Sequence, residues 1–316
     1  GLYVNAKSDC MSETSEDANF ASAVMMRLVA AGLEKQGLGG LLKPARGAHV
    51  PRPSKRSFLE TIAQEHDLKT ILRLADAIPD MPPEPVVLAL TKARDLDDLF
   101  GRWHRIETFS HAYHTVDVDQ SGTGTWRLTH VSKRQGEKPT PEESLLVVAV
   151  LTMLGETVCK SPLSLQSASG ATLRYDSGWH EPQPCEIDGS FVLVAMNDHA
   201  IIHQQEPAQH QDLVFASKSM FAGDLVRRWT LKDLAGTLGC STRSLQRRYS
   251  QSATTFSTLV SEARLEAAAA YLCSGEKRSL AEIGFLAGYT DQAHFSRSFM
   301  QQVGMTPNAY RMSFST

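Results

Sequence analysis

The sequence predicts an α+β domain followed by an all-α domain in which two helix-turn-helix units are joined by a linker helix. Three observations carry that prediction. A pattern of paired apolar and small residues that begins near position 230 recurs 49 residues later. The hydrophobic period switches from helical to alternating near position 114, then returns to helical. The charge is also divided: the 316-residue chain has a net charge of −3, yet residues 226–316 hold 11 Lys and Arg against 6 Asp and Glu, a balance of +5 that leaves −8 for the remainder. A basic end on an acidic body is the pattern of a segment that meets polyanions.

Bulk features narrow the classes. Apolar residues make up 42% and charged residues 21%, which excludes a collagen, a disordered tail or a coiled-coil rod. No window holds 18 consecutive apolar residues, so no membrane-spanning helix is expected. Ser8–Asn19 is polar and acidic where a secretory signal needs an apolar stretch. The chain starts at Gly1, and Met11 is a candidate native start. The five cysteines are odd in number and scattered, with no CxxC pair, which reads as reduced cytosolic thiols and not as a disulfide frame or a zinc site.

Taken in order, residues 1–20 read as a flexible leader. Ala21–Leu42 reads as a helix through Val24, Leu28, Ala31 and Leu33, ended by the Gly37, Gly39, Gly40 cluster. Lys43–Lys55 is a loop with three prolines, and Ser57–Ile78 is a second helix carrying Phe58, Ile62, Leu68, Ile71, Leu72 and Leu74. Pro79–Pro85 breaks the chain, and Val86–Phe109 holds further helix. His114, Val116 and Val118 alternate, then Ser121-Gly122-Thr123-Gly124 intervenes, then Trp126, Leu128 and His130 alternate: a hairpin. Thr140-Pro141-Glu142-Glu143 is a helix start, with a capping Thr, a first-turn Pro and acids at the positive end of the dipole. Leu145–Val158 is apolar on nearly every side, so it must be covered all round, by its own domain or by a second subunit. It is the candidate dimer helix. Residues 163–202 are strand-rich, with Phe191–Met196 the best strand. The expected division is a domain over 21–210, a linker over 211–226 and an all-α domain over 227–316.

The repeat carries the functional signal. A helix-turn-helix needs an apolar and a small residue side by side on its first helix, a Gly in the turn and an apolar anchor in the second helix. Leu231, Leu234-Ala235, Leu238-Gly239 and Leu245 meet this, and Leu280, Ile283-Gly284 and Ala287-Gly288 repeat it. Beyond the second turn the offset becomes 50, pairing Leu245 with Phe295, Arg247 with Arg297 and Tyr249 with Phe299, so the second turn carries a one-residue insertion. Phe256–Leu272, rich in Ala and Glu, reads as the helix between them. With Leu245 and Tyr249 inward, Arg243, Gln246 and Arg247 remain for the outer face. With Phe295 and Phe299 inward, Gln292, His294 and Arg297 remain. Arg suits the guanine edge and Gln the adenine edge, and both bind phosphate.

Residues 229–311 resemble the DNA-binding domain of the AraC/XylS family of bacterial transcription regulators. The resemblance rests on Trp229-Thr-Leu-Lys-Asp-Leu-Ala235, Ser241-Thr-Arg-Ser-Leu-Gln-Arg-Arg-Tyr249, Arg264-Leu-Glu-Ala-Ala-Ala, Gly288-Tyr-Thr-Asp-Gln-Ala-His-Phe-Ser-Arg-Ser-Phe299 and Gly304-Met-Thr-Pro307-Asn-Ala-Tyr310-Arg311. By that resemblance Arg243, Gln246 and Arg247, then Gln292, His294 and Arg297, occupy base-reading positions. The sequence departs from the family at Ala253, where Gly is usual, and at Gly284, where Ala is usual. Residues 20–210 more loosely resemble the arabinose-binding-domain-like sensor of one subgroup, by order of elements and without a motif; a cupin barrel fits poorly with a helical 21–109. The resemblance implies a bacterial, cytoplasmic, nucleoid-associated homodimer with double-stranded DNA as partner, a small-molecule effector in the first domain, and RNA polymerase as partner if it activates.

Other residue groups carry less. Trp103, Trp126 and Trp179 are weak candidates for an effector pocket. His104, His111 and His114 lack a carboxylate or thiol to complete a metal set, so no metal or other cofactor is expected. Gly122-Thr-Gly124 lacks the Lys-Ser/Thr of a phosphate loop, and no GxSxG or HExxH occurs, so no catalytic residue is assigned. The rival readings are an enzyme or alkyl-accepting repair or regulatory protein fused to this module, with Cys159 or Cys185 as nucleophile, and a regulator controlled by a partner protein.

Overall fold

The structure, a computed structural model, describes residues 20–41, 52–81, 85–109, 113–133, 137–195 and 213–314. The expected leader, part of the proline loop and His111 lie outside the described residues. The chain divides into two compact units, residues 1–200 and 201–316.

The first unit combines a six-stranded sheet with helices. Its helices are α1 (Phe20–Lys35), α2 (Arg52–Glu65), α3 (Leu68–Arg73), α4 (Pro85–Thr91), α5 (Leu96–Phe109) and α6 (Pro141–Cys159). The strands β1 (His114–Gly122), β2 (Thr125–Ser132), β3 (Leu163–Ser167), β4 (Thr172–Tyr175), β5 (Gly178–Trp179) and β6 (Ser190–Ala195) pair antiparallel in the order β1-β2-β6-β3-β4-β5. The alternation read in the sequence sets the two faces. Trp126 and Leu128 stand opposite Leu193 and Phe191, which stand opposite Leu165 and Ser167, and all are buried. Their neighbours Arg127 and Gln166 are exposed on the other face.

The helix expected over Ser57–Ile78 is divided in the structure, and the further helix expected within Val86–Phe109 is present as α4 and α5. The first stops at Glu65; Asp67 then caps α3, its Oδ1 accepting from the Thr70 N–H and hydroxyl, both at 2.6 Å, and Leu74–Asp80 continues as 3-10 helix. Ahead of α5, Asp95 accepts the Asp98 N–H at 2.8 Å. Apolar spacing alone does not register a cap that restarts a helix on the same face.

α6 corrects a larger expectation. Its start is as read: Thr140 accepts the Glu143 N–H at 3.2 Å and Glu143 accepts the Thr140 N–H at 3.0 Å, closing a capping box. But Leu145, Val148, Ala149 and Leu151 are all 0% exposed inside their own unit, where α6 packs against α2, α3, α4, α5, β3 and the 3-10 segment. The helix is the core of the first unit, so it has no apolar face left for a second subunit and is not a dimer helix.

The second unit holds α7 (Leu213–Gly223), α8 (Leu231–Thr237), α9 (Thr242–Gln251), α10 (Phe256–Cys273), α11 (Leu280–Leu286), α12 (Gln292–Val303) and α13 (Pro307–Phe314). Residues 211–226, expected as a linker, therefore contain a helix that belongs to this unit. Its Ala216 and Phe221 share a core with Leu234, Leu245, Tyr249 and Leu259. The Ser217 hydroxyl lies 2.7 Å from the Tyr249 hydroxyl, and the Phe221 ring meets Trp229 and Phe256 edge-on at 5.6 and 5.7 Å. Among the described residues no helix is long and apolar enough to cross a membrane.

Candidate nucleic-acid interface

Each helix-turn-helix is assembled from local signals. Thr230, Ser241, Ser279 and Asp291 cap α8, α9, α11 and α12, each side chain accepting the backbone N–H three residues on. Both turns close in the same way. The Cys240 N–H donates to the Ala235 carbonyl at 2.9 Å with Gly239 at φ 62, and the Tyr289 N–H donates to the Gly284 carbonyl at 3.0 Å with Gly288 at φ 79. This is the left-handed helix end that favours glycine. At Gly288 packing adds a second constraint, because a Cβ there would lie 2.0 Å from the Leu225 carbonyl oxygen. Arg264 of α10 stands behind this turn, its Nε 3.4 Å from that Cβ position, and burial lowers its pKa from the ordinary guanidinium value, with Arg228 adding to the effect.

The second helices bury their anchors and leave the other faces exposed to different degrees. On α9, Leu245 is 0% and Tyr249 2% exposed, while Arg243, Gln246 and Arg247 are exposed. On α12, Phe295 and Phe299 are both 0% exposed; Arg297 is exposed, and Gln292 and His294 are half-buried. A ladder of rings, Tyr289–Phe295–Phe299–Tyr310–Phe314, with centroids 4.8 to 5.8 Å apart, fastens α12 to α13. Sequence reasoning passed over Arg248, a further exposed cation on α9, although it stands in the same Arg-Arg pair as Arg247. It also passed over Thr290, whose hydroxyl contacts the imidazole of His294.

The three tryptophans of the first unit each donate to a carboxylate: Trp103 to Glu107 at 2.8 Å, Trp126 to Asp97 at 2.8 Å and Trp179 to Asp76 at 2.7 Å. Trp126 and Trp179 are buried, as core indoles with a satisfied N–H. Glu107, which also accepts from Thr115 and the Val116 N–H, is raised by burial to about 7. His104 is exposed, and His114 lies 3.9 Å from Glu143. Among the described residues no group of three or more His, Cys, Asp or Glu is arranged to hold a metal ion. The Cys159 thiol is pushed up by burial and then by Asp95, the reverse of an activated nucleophile, and Cys185 is exposed in the short turn Pro184–Glu186.

The match to a known family lies within this second unit. The family described as "Helix-turn-helix domain" matches residues 234–313. The transcriptional activator NphR of Rhodococcus sp is 38% identical over 82 residues, which are 26% of this chain and 24% of that protein. The HTH-type transcriptional activator FapR of Escherichia coli is 28% identical over 94 residues, 30% of this chain and 36% of that protein. The crystal structure of a DNA-binding transcriptional dual regulator from Escherichia coli K-12 aligns with 34% of this chain and 96% of its own at 22% identity and a TM-score of 0.32. The matched region thus spans about a quarter to a third of the length of the curated relatives. Over residues 234–313 the chain carries a helix-turn-helix domain of the AraC type.

Proposed function

We propose that this protein is a sequence-specific DNA-binding transcriptional regulator, and an activator. The carrying observation is the pair of helix faces on α9 and α12 that bear exposed Arg243, Gln246, Arg247 and Arg297 with half-buried Gln292 and His294, and no exposed acid. The 18-residue helix α10 lies between the two helix-turn-helix motifs in sequence. At about 1.5 Å per residue it is roughly 27 Å long. That length suits two helices meant for successive major grooves about 34 Å apart on one side of a duplex. Arginine forks toward guanine and glutamine toward adenine supply the readout, and the surplus cations supply phosphate contacts. The descriptions of NphR and FapR as transcriptional activators support the activating role.

The remaining parts of the reading concern control. The first unit binds a small-molecule effector, with Trp103 as the candidate lining residue left half-buried. A ligand that favours one conformation of that unit shifts how two subunits of a homodimer present their DNA-binding domains in the cytoplasm, and thereby how RNA polymerase is engaged. The raised Cys159 thiol weighs against an alkyl-accepting enzyme.

The test is selection by the immobilised full chain from a pool of randomised duplexes, followed by anisotropy titration of the enriched sequence at several salt concentrations. Enrichment of a two-part site whose affinity falls steeply with salt is the expected result. Failure to enrich any sequence overturns the reading.

A further inference from the structure

The second recognition helix carries a side-chain relay at its first turn. Asp291, the cap of α12, accepts the His294 N–H through Oδ1 at 2.6 Å. The Thr290 hydroxyl donates to Asp291 Oδ2 at 3.2 Å and lies 2.9 Å from His294 Nδ1. A threonine hydroxyl has a single proton, and an ionised carboxylate only accepts. With that proton directed to Asp291, the Thr290 oxygen is an acceptor toward the ring, and Nδ1 must carry the hydrogen. The opposite assignment would leave the Thr290 oxygen facing a carboxylate oxygen at 3.2 Å with no proton between them. The Tyr289 ring packs edge-on against the imidazole at 5.5 Å, which holds the plane of the ring. In neutral imidazole the second nitrogen, Nε2, is then a bare acceptor.

We infer that Thr290 and Asp291 are positioning residues that fix His294 in its Nδ1–H tautomer, so that Nε2 accepts a hydrogen bond from the exocyclic amino group of adenine or cytosine in the major groove. This rests on the DNA-binding reading of α12. In the major groove those amino groups are the base-edge donors, whereas guanine and thymine present O6, N7 and O4 acceptors. A bare Nε2 is attracted to the first pair and repelled by the second. The first recognition helix works in the opposite sense: Arg243 and Arg247 are donors only and select acceptors. The two half-sites are therefore read by opposite hydrogen-bond polarity at these positions.

Two measurements on the full chain test this. In the first, the protein is labelled with nitrogen-15 histidine, and His294 is assigned by loss of its signals in His294→Gln. At mildly alkaline pH, long-range proton–nitrogen correlation should show Nδ1 protonated and Nε2 bare. Thr290→Val keeps the shape without the hydroxyl and should release the tautomer, while Thr290→Ser should restore it. A protonated Nε2 in the wild type, or no change in Thr290→Val, overturns the inference. In the second, randomised duplexes are selected with each variant. The wild type should favour adenine or cytosine at one position by about three- to tenfold, the scale of one net hydrogen bond. Thr290→Val should lose that preference alone, and Thr290→Ser should keep it. A wild-type preference for guanine or thymine there, or an unaltered preference in Thr290→Val, also overturns it. If the wild type enriches no sequence, the DNA-binding reading has failed, and the tautomer is still decided by the spectra.

Discussion

Replacing Ala253 by glycine is expected to stabilise the second unit by about 1 kcal/mol. Ala253 follows α9 at φ 52, in the left-handed region. The geometry around it is that of the two glycine turns. The Thr254 N–H donates to the Tyr249 carbonyl at 2.9 Å and the Ala253 N–H to the Ser250 carbonyl at 3.2 Å, the paired bonds of a Schellman helix end. Gly239 and Gly288 fill the equivalent position in the two turns, so this end alone of the three forces a Cβ against the following carbonyl. The left-handed conformation costs an L-residue roughly 1–2 kcal/mol. Glycine gives back about 0.4–1 kcal/mol through the larger freedom of the unfolded chain. Because Ala253 is exposed, little packing is lost. The net gain should raise the melting temperature of this unit by roughly 4 °C, read by calorimetry and by urea titration of far-UV circular dichroism. Ala270, exposed within α10, is the control: Ala270→Gly should destabilise by about 0.5–1 kcal/mol. An Ala253→Gly protein that is no more stable than the wild type, alongside a destabilised control, would refute the strain argument.

Gly288→Ala should cost at least about 3 kcal/mol and leave the second unit largely unfolded by circular dichroism, because its Cβ would meet the Leu225 carbonyl oxygen at 2.0 Å; a folded variant with unchanged melting would contradict the packing of that turn. Leu151→Ala should destabilise the first unit by about 2–5 kcal/mol while light scattering gives the wild-type mass, since Leu151 is enclosed within one chain; a change of oligomeric state in folded protein would return α6 to the role of a dimer helix. Glu107→Gln should leave stability nearly unchanged in acid and raise it increasingly as pH climbs. The folded carboxyl titrates near 7 and an unfolded one near 4.5, so wild-type stability falls as pH rises through that window, by a few kcal/mol at most; a wild type that gains stability across that window would count against it. Arg247→Ala and Arg297→Ala should each weaken specific binding by about 1–3 kcal/mol in anisotropy titrations, and unaltered discrimination between matched and mismatched duplexes would remove them from base reading.

Legibility from sequence differed sharply between the units. In the second, every helix start from α8 to α12 is announced by Ser, Thr or Asp, both turns by Gly, and the inward and outward faces by spacing over one or two turns. Such signals are local, so a single sequence carries them. α7 escaped because its burial depends on Tyr249 and Leu259, residues far along the chain, and nothing between Leu213 and Gly223 announces them. In the first unit the strands of the hairpin were legible through alternation. The division of the helix expected over Ser57–Ile78 was not, since Asp67 interrupts it without disturbing the apolar spacing.

The sequence by itself carried the repeat, through self-similarity at an offset of 49 residues, and the inward anchors Leu245, Tyr249, Phe295 and Phe299 with their glycine turns, which follow from neighbours within one or two helical turns. Tertiary structure alone decided what covers α6, where the second unit begins, and which hydrogen-bond partner holds the ring of His294. Those outcomes depend on atoms brought together across the fold, or on directions of side chains that residue identity leaves open. A wholly apolar helix must be enclosed, but composition does not say by what. Only the packing of α2 to α5 and β3 around Leu151 shows that its own unit encloses it.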